Sequence, residues 1–187
     1  MKITNVETIA LRDNADGNVT SWNPTYGDSL DSSPASTGGY DITIVKVNTD
    51  EGISGIGQCE APSLIIDAII KSSLGLENLV INEDPTQVNR LWQKMYNSTG
   101  VFGRRGIVIA AIGAIETALW DITGKFYNKP LYELLWKSFT TSASFFEPKK
   151  NVTPYATVYP PGENLDELES RLKIAMSKGL NAVKIEE

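Results

Sequence analysis

The sequence contains no histidine and a single cysteine, Cys59. Without imidazole, the polypeptide by itself cannot build a Ser-His-Asp or Cys-His nucleophilic system, a histidine-ligated zinc site or a histidine general base. One thiol excludes a disulfide framework and any Cys-x-x-Cys redox or zinc motif; this fits a reducing compartment and makes the cytoplasm the expected location. Positive charge is short as well, with 17 Lys+Arg against 23 Asp+Glu and a formal net charge of −6. Nucleic acid is therefore not an expected partner, because phosphate binding needs clustered Lys and Arg, and the tight pair Arg104-Arg105 is too little. No uninterrupted apolar run approaches the roughly 20 residues that span a bilayer, and the N-terminus alternates apolar and polar residues rather than forming a signal peptide. No membrane association is expected, and the Asn-x-Ser/Thr matches at Asn18, Asn97 and Asn151 are read as chance.

What is present suffices for a core: 41% of 187 residues are apolar. Ile3, Val6, Thr8 and Ala10, then Ile42, Ile44, Val45 and Val47, have strand-like pattern, and Ile53 and Ile56 belong to a third strand. Asp50-Glu51-Gly52 is a hairpin signal between the second and third. A three-stranded antiparallel sheet follows, interrupted by Asp13 to Gly39, a polar stretch carrying Trp22 and Tyr26 whose length suits a functional lid or a disordered insertion. From Pro62 the period becomes helical. Ile65, Ile69 and Ile70 mark a short helix. Asp84-Pro85-Thr86-Gln87 reads as the cap and first turn of a second helix, with Val88, Leu91, Trp92 and Met95 on one side. Val108, Ala111, Ile112, Ile115, Leu119, Ile122 and Phe126 then mark a core helix, and Lys129 to Leu135 one more that starts on proline. Residues 138–152 form a linker. Beyond it a strand over Thr153–Tyr159, a helix ending at Gly179 and a strand over Asn181–Glu186 make a βαβ crossover, whose strands should be parallel.

Few motifs carry chemistry. The glycines of Gly52-Ile-Ser-Gly55-Ile-Gly57 are in the wrong order for a dinucleotide fingerprint and sit in a strand. Cys59 is read as a small packed residue, and Glu60 beyond it as a pocket-lining candidate or a solvated acid. The last strand says more. Its period of two puts Val183 and Ile185 on one face and Ala182, Lys184 and Glu186 on the other. In a parallel barrel, Lys184 and Glu186 would then point inward near the C-terminal mouth, where such enzymes keep their chemistry. A buried lysine can serve as a base or hold an anion; the alternative is that both side chains are solvated.

The turn NTDEGISGIGQ (Asn48–Gln58), the helix GRRGIVIAAIGAIETALWDITGK (Gly103–Lys125), KPLYELL (Lys129–Leu135) and the strand VKIEE (Val183–Glu187) closely resemble the enolase superfamily, in its mandelate racemase/muconate lactonizing branch. Gly-Arg-Arg-Gly and Ala-Leu-Trp-Asp look most like the acid-sugar dehydratases of that branch. The resemblance implies an α+β capping domain over residues 1–137, a linker over 138–152 and the start of a (β/α) TIM-type barrel over 153–187. It makes Asp13–Gly39 and Cys59–Ser63 active-site loops, with Trp22, Tyr26 and Glu60 shaping the pocket. The implied chemistry is removal of the proton α to the carboxylate of a sugar acid or similar hydroxy acid, with Mg²⁺ stabilising the enediolate.

Many members carry Lys-x-Lys on the second barrel strand. Lys184 matches the first lysine, near the substrate carboxylate, and Glu186 stands in place of the second, the base. This counts against two-base racemisation and leaves open a dehydratase that uses a histidine from a later strand. The family's three acidic Mg²⁺ ligands also belong to later strands. A barrel needs roughly 250 residues, so the chain is expected to be the N-terminal part of such an enzyme, inactive alone, completed by a downstream sequence or a complementary barrel polypeptide, and forming homo-oligomers. A racemase, epimerase or cycloisomerase of the same branch and a non-enzymatic capping fragment or assembly module are the alternatives.

Overall fold

The computed structural model describes residues 1–12, 41–59, 61–139, 149–158 and 165–185. They fall into two compact units, Met1–Thr141 and Ser142–Glu187.

The first unit starts with strands β1 (Ile3–Arg12), β2 (Asp41–Thr49) and β3 (Ser54–Cys59), an antiparallel sheet in sequential order. The hairpin between β2 and β3 closes where the Asp-Glu-Gly signal lies, with Gly52 at φ +80 donating its N–H to Thr49 O at 3.2 Å. Both outer edges are covered in part. On β1, Ile3 N donates to Glu83 O at 2.9 Å, Asn82 N to Ile3 O at 2.9 Å, and Val6 N to Glu77 Oε1 at 3.0 Å. On β3, Ile56 N donates to Asp121 Oδ2 at 2.9 Å, and Lys125 Nζ reaches Ser54 O at 2.7 Å. An open sheet edge would template pairing with other chains, and these contacts block it along Ile3–Val6 and Ser54–Ile56.

Helices follow: α1 (Ser63–Lys71), α2 (Glu77–Val80), α3 (Val88–Ser98), α4 (Ile107–Tyr127) and α5 (Leu131–Phe139). α4 packs on the inner face of the sheet, and Ile112, Ile115, Leu119 and Ile122 are fully buried. Each such side chain is worth about 1.5–3 kcal/mol over leaving it exposed. Opposite them, β3 presents glycine. A Cβ on Gly55 would lie 2.0 Å from Ala118 O, and one on Gly57 2.0 Å from Ala114 O. Two residues of strand advance about 6.6 Å and four of helix about 6 Å, so a Gly-x-Gly strand stays in step with an Ala-x-x-x-Ala helix.

Three sequence expectations change. The third strand begins at Ser54 and leaves Ile53 just outside it, and within it Ile56 is 51% exposed, because Gly55, Gly57 and Cys59 take the inward positions. α3 begins at Val88, later than expected, because Asp84 Oδ1 accepts from Thr86 N at 2.9 Å and Thr86 Oγ1 at 2.8 Å and holds residues 84–87 in a turn. Phe126, in the last turn of α4, is 46% exposed and packs edge-on against Tyr127 instead of the sheet. α4 is also, among the described residues, a helix long and apolar enough to cross a membrane by length and composition alone, although Glu116 and Asp121 interrupt its apolar run. Half of its apolar window is buried in this core, which accounts for the composition.

In the second unit, β4 (Ala156–Val158) and β5 (Val183–Ile185) are parallel and joined through α6 (Leu165–Ser177). Gly179 ends α6 at φ +82, with its N–H on Met176 O at 2.9 Å and Leu180 N on Ala175 O at 3.3 Å. This double bond pattern caps a helix through a left-handed residue that glycine adopts without strain.

Candidate functional site

Of Lys184, Glu186, Trp22, Tyr26 and Glu60, Lys184 is the one that lies among the described residues. It lies in the middle of β5, in register with Thr157 of β4, while Ala156 pairs with Val183 and Val158 with Ile185. Side chains of laterally paired residues leave a parallel sheet on the same side, and successive residues on opposite sides. Val158 and Ala175 of α6 are the buried apolar residues of this unit, so the face bearing Val158 and Ile185 is the one α6 covers. Thr157 and Lys184 therefore share the other face. Both are exposed. The sequence reading did not find Thr157; parallel pairing was foreseeable, but the register that sets this threonine beside the lysine was not.

Trp22, Tyr26, Glu60 and Glu186 lie outside the described residues. At the end of β3, Cys59 and Ala61 are buried, and Thr43 Oγ1 donates to Ala61 O at 2.8 Å. Burial pushes the Cys59 thiol up from its ordinary value, so it stays protonated and packed at neutral pH. Two clefts open on the first unit. One, of about 290 Å³, lies between Gln87, Arg90, Trp120 and Tyr127. The other, of about 370 Å³, lies between Trp120, Lys125, Lys129 and Leu131. Among the described residues no three His, Cys, Asp or Glu side chains come together as a metal site.

A family profile described as mandelate racemase / muconate lactonizing enzyme, N-terminal domain, matches residues 29–136. The chain belongs to this family. Its sheet-and-helix first unit is the capping domain of the enolase superfamily's mandelate racemase/muconate lactonizing branch. Among its relatives, the arabinonate dehydratase of Saccharolobus solfataricus is 33% identical over 153 residues, covering 78% of this chain and 37% of that enzyme. The D-galactonate dehydratase of Ralstonia pickettii is 40% identical over 93 residues, covering 49% of this chain and 23% of that enzyme. The chain thus spans well under half the length of either relative. Among solved structures, the 3,6-anhydro-D-galactonate cycloisomerase from Zobellia galactanivorans superposes with a TM-score of 0.70 at 27% identity, covering 99% of this chain and 42% of that one. A racemase from Streptomyces coelicolor with bound magnesium shares the fold at a TM-score of 0.68 and 20% identity, covering 98% of this chain and 45% of that one.

Proposed function

We propose that this member of the family supplies the cap and the first strand–helix–strand of the barrel to a dehydratase acting on a sugar acid. The observation that carries the reading is the placement of Lys184 and Thr157 together on the face of β4–β5 that α6 leaves open, in a chain whose relatives include arabinonate and galactonate dehydratases. Such a reaction takes the proton from the carbon next to the carboxylate and breaks the C–O bond of the neighbouring hydroxyl, which leaves as water once protonated. The resulting enol becomes a 2-oxo-3-deoxy acid. In this reading a charged Lys184 binds the substrate carboxylate and orients the carbon acid, and the base comes from elsewhere in the complete enzyme. Glu186, two residues on, is the second candidate on the strand, and Trp22, Tyr26 and Glu60 are the candidates for the pocket wall.

Mg²⁺ belongs to the same reading of the complete enzyme, but the described residues do not fit it, since no three potential ligands converge. Its ligands are then assigned to residues outside the described ones, and none of the steps above is built on the ion. The substrate is a small carboxylate.

The test joins this chain to the barrel portion of the Saccharolobus arabinonate dehydratase that lies beyond the aligned region, and supplies arabinonate and D-galactonate. α-Proton exchange in D2O and release of a 2-oxo acid are followed by NMR. The isolated chain is expected to give neither and the joined protein both. Lys184→Met should lower kcat/KM by about 10- to 100-fold, as expected for the loss of a hydrogen bond to a charged group. Exchange without loss of water would favour a racemase. Ring rearrangement of an anhydro-sugar acid would favour the cycloisomerase reading, to which the Zobellia neighbour gives weight.

A further inference from the structure

The two clefts of the first unit share Trp120, and their linings differ in chemistry. The larger, of about 370 Å³, has a carboxylate in its wall, and its Lys125 is already engaged. Lys125 Nζ donates to Asp121 Oδ2 at 2.7 Å and to Ser54 O at 2.7 Å. The smaller, of about 290 Å³, lies between the start of α3, the C-terminal half of α4 and α5. Among the described residues that line it none is acidic, in a chain with a formal net charge of −6. Its wall holds one guanidinium, Arg90, two primary amides, Gln87 and Asn89, and the rings of Trp120 and Tyr127.

Each of these groups narrows the ligand. Arg90 is fixed in place, with Nη2 donating to Glu83 Oε2 at 2.5 Å, and Lys94 Nζ holds the other carboxylate oxygen at 2.6 Å. Two cations against one carboxylate leave this cluster at +1, so it attracts an anion. The guanidinium carries five N–H donors in a planar fork that suits a carboxylate. Gln87 and Asn89 are exposed, and each amide offers both a donor and an acceptor, as a hydroxyl requires. The faces of Trp120 and Tyr127 are negative, and the C–H bonds of a polyol, polarised by their oxygens, pack on such faces. A volume at the lower limit of the roughly 300–1,000 Å³ of small-molecule sites keeps the ligand small.

We infer that this cleft binds a sugar acid, with its carboxylate on Arg90, its hydroxyls on Gln87 and Asn89, and its carbon chain against Trp120 and Tyr127. A neutral sugar would leave Arg90 unused, and a simple carboxylate would leave the two amides unused. The site goes beyond the role given to Lys184 and does not rest on it, since every residue that lines the cleft belongs to the first unit.

The test follows the Trp120 indole N–H by NMR in the full chain, assigned through Trp120→Phe, during titration with sodium D-galactonate. A saturable shift with a dissociation constant of about a millimolar is expected for a ligand of this size in an open cleft. Sodium acetate and D-galactose should each bind at least about 10-fold more weakly, because each lacks one set of contacts. Arg90→Gln should weaken galactonate binding about 10-fold through loss of a charged donor. Glu83→Gln keeps the guanidinium and removes the negative charge beside it, so it should tighten binding about 2- to 5-fold. These opposite responses separate binding from damage to the fold, because both substitutions break the same ion pair. If Arg90→Gln fails to fold, Gln87→Ala carries the test beside Glu83→Gln, with an expected weakening of about 3-fold. Lys184→Met should leave the titration unchanged. The absence of a saturable shift overturns the inference, as does acetate or galactose binding as tightly as galactonate. Undiminished binding in Arg90→Gln, or weaker binding in Glu83→Gln, also overturns it. Loss of the shift in Lys184→Met with retention in Arg90→Gln puts the ligand on the barrel strands, which overturns this inference and leaves the proposed function standing.

Discussion

In the first unit, sheet and helices bury nearly all of the apolar side chains that the described residues bury; in the second, only Val158 and Ala175 reach that state. Leu168, Leu172 and Leu180 are half-buried, and other large apolar residues of the second unit stay at the surface, among them Leu165 at 75% exposure and Met176 at 70%. One crossover cannot cover both faces of a two-stranded sheet, whereas three strands and five helices can close a core. The stability of the two regions therefore rests on different things. The first has packing that a mutation can damage, and the second has little to lose.

Substitutions that remove or add core volume should bring out this difference most strongly. Leu119→Ala, at a fully buried site on α4, should cost about 2–5 kcal/mol in denaturant unfolding of the first unit, whereas Val158→Ala should cost less than about 1 kcal/mol. Equal costs at the two sites would break the comparison. Next in size comes Gly57→Ala, which forces a methyl into Ala114 O and should destabilise by about 3 kcal/mol through separation of β3 from α4. In Gly52, where no atom lies within 4 Å, the same substitution meets open space and acts only through backbone strain, at roughly 1 kcal/mol. A smaller loss at Gly57 than at Gly52 would show that the close approach of strand and helix is not what the glycines provide. Asp121→Asn should follow at about 0.5–1.5 kcal/mol, because the Ile56 N–H loses a charged acceptor and Lys125 its partner at 2.7 Å. Its specific mark is faster amide exchange at Ile56.

The parts of this architecture that could be read from the residues are those where side chains repeat with a period. The stripe of α4 from Val108 to Ile122 and the buried Val88, Leu91 and Met95 of α3 appear where the pattern puts them, whereas Val183, Lys184 and Ile185 are all exposed and their alternation does not show in burial. What escaped was carried by contacts between distant elements or by residues without side chains. The inward face of β3 is Gly55, Gly57 and Cys59, and glycine has no side chain to mark a hydrophobic period, so the packed face of this strand could not be read. α2 has four residues, too few for a helical pattern. The Asp84 side chain chose a turn over a helix cap through bonds to Thr86 that spacing alone does not distinguish. Thr157 became a neighbour of Lys184 through strand register, which no local pattern encodes. Trp22, Tyr26, Glu60 and Glu186 were singled out by composition, position and resemblance, and their placement lies outside the described residues.

The smallest effect comes from charge, and it should be confined to the first unit. Glu83 sits between Arg90 and Lys94, with Nη2 of the first at 2.5 Å and Nζ of the second at 2.6 Å from its two oxygens. The hydrogen bonds from Arg90 and then Lys94 favour the carboxylate and hold its pKa at about 2, below the ordinary 4.5. Between those two values the unfolded chain binds a proton that the folded chain refuses, so stability rises with pH across the window and is lost as pH falls from about 4.5 toward 2. All three side chains are partly exposed, so salt should shrink the contribution. In acid titrations followed by unfolding of the first unit, Glu83→Gln should flatten the slope in this window and leave it unchanged above pH 6. An unaltered acid limb would mean that the ion pairs are too well solvated to couple folding to protonation. A slope that flattens equally for a reporter in α6 would mean that the two regions unfold as one, and the contrast between them would fail.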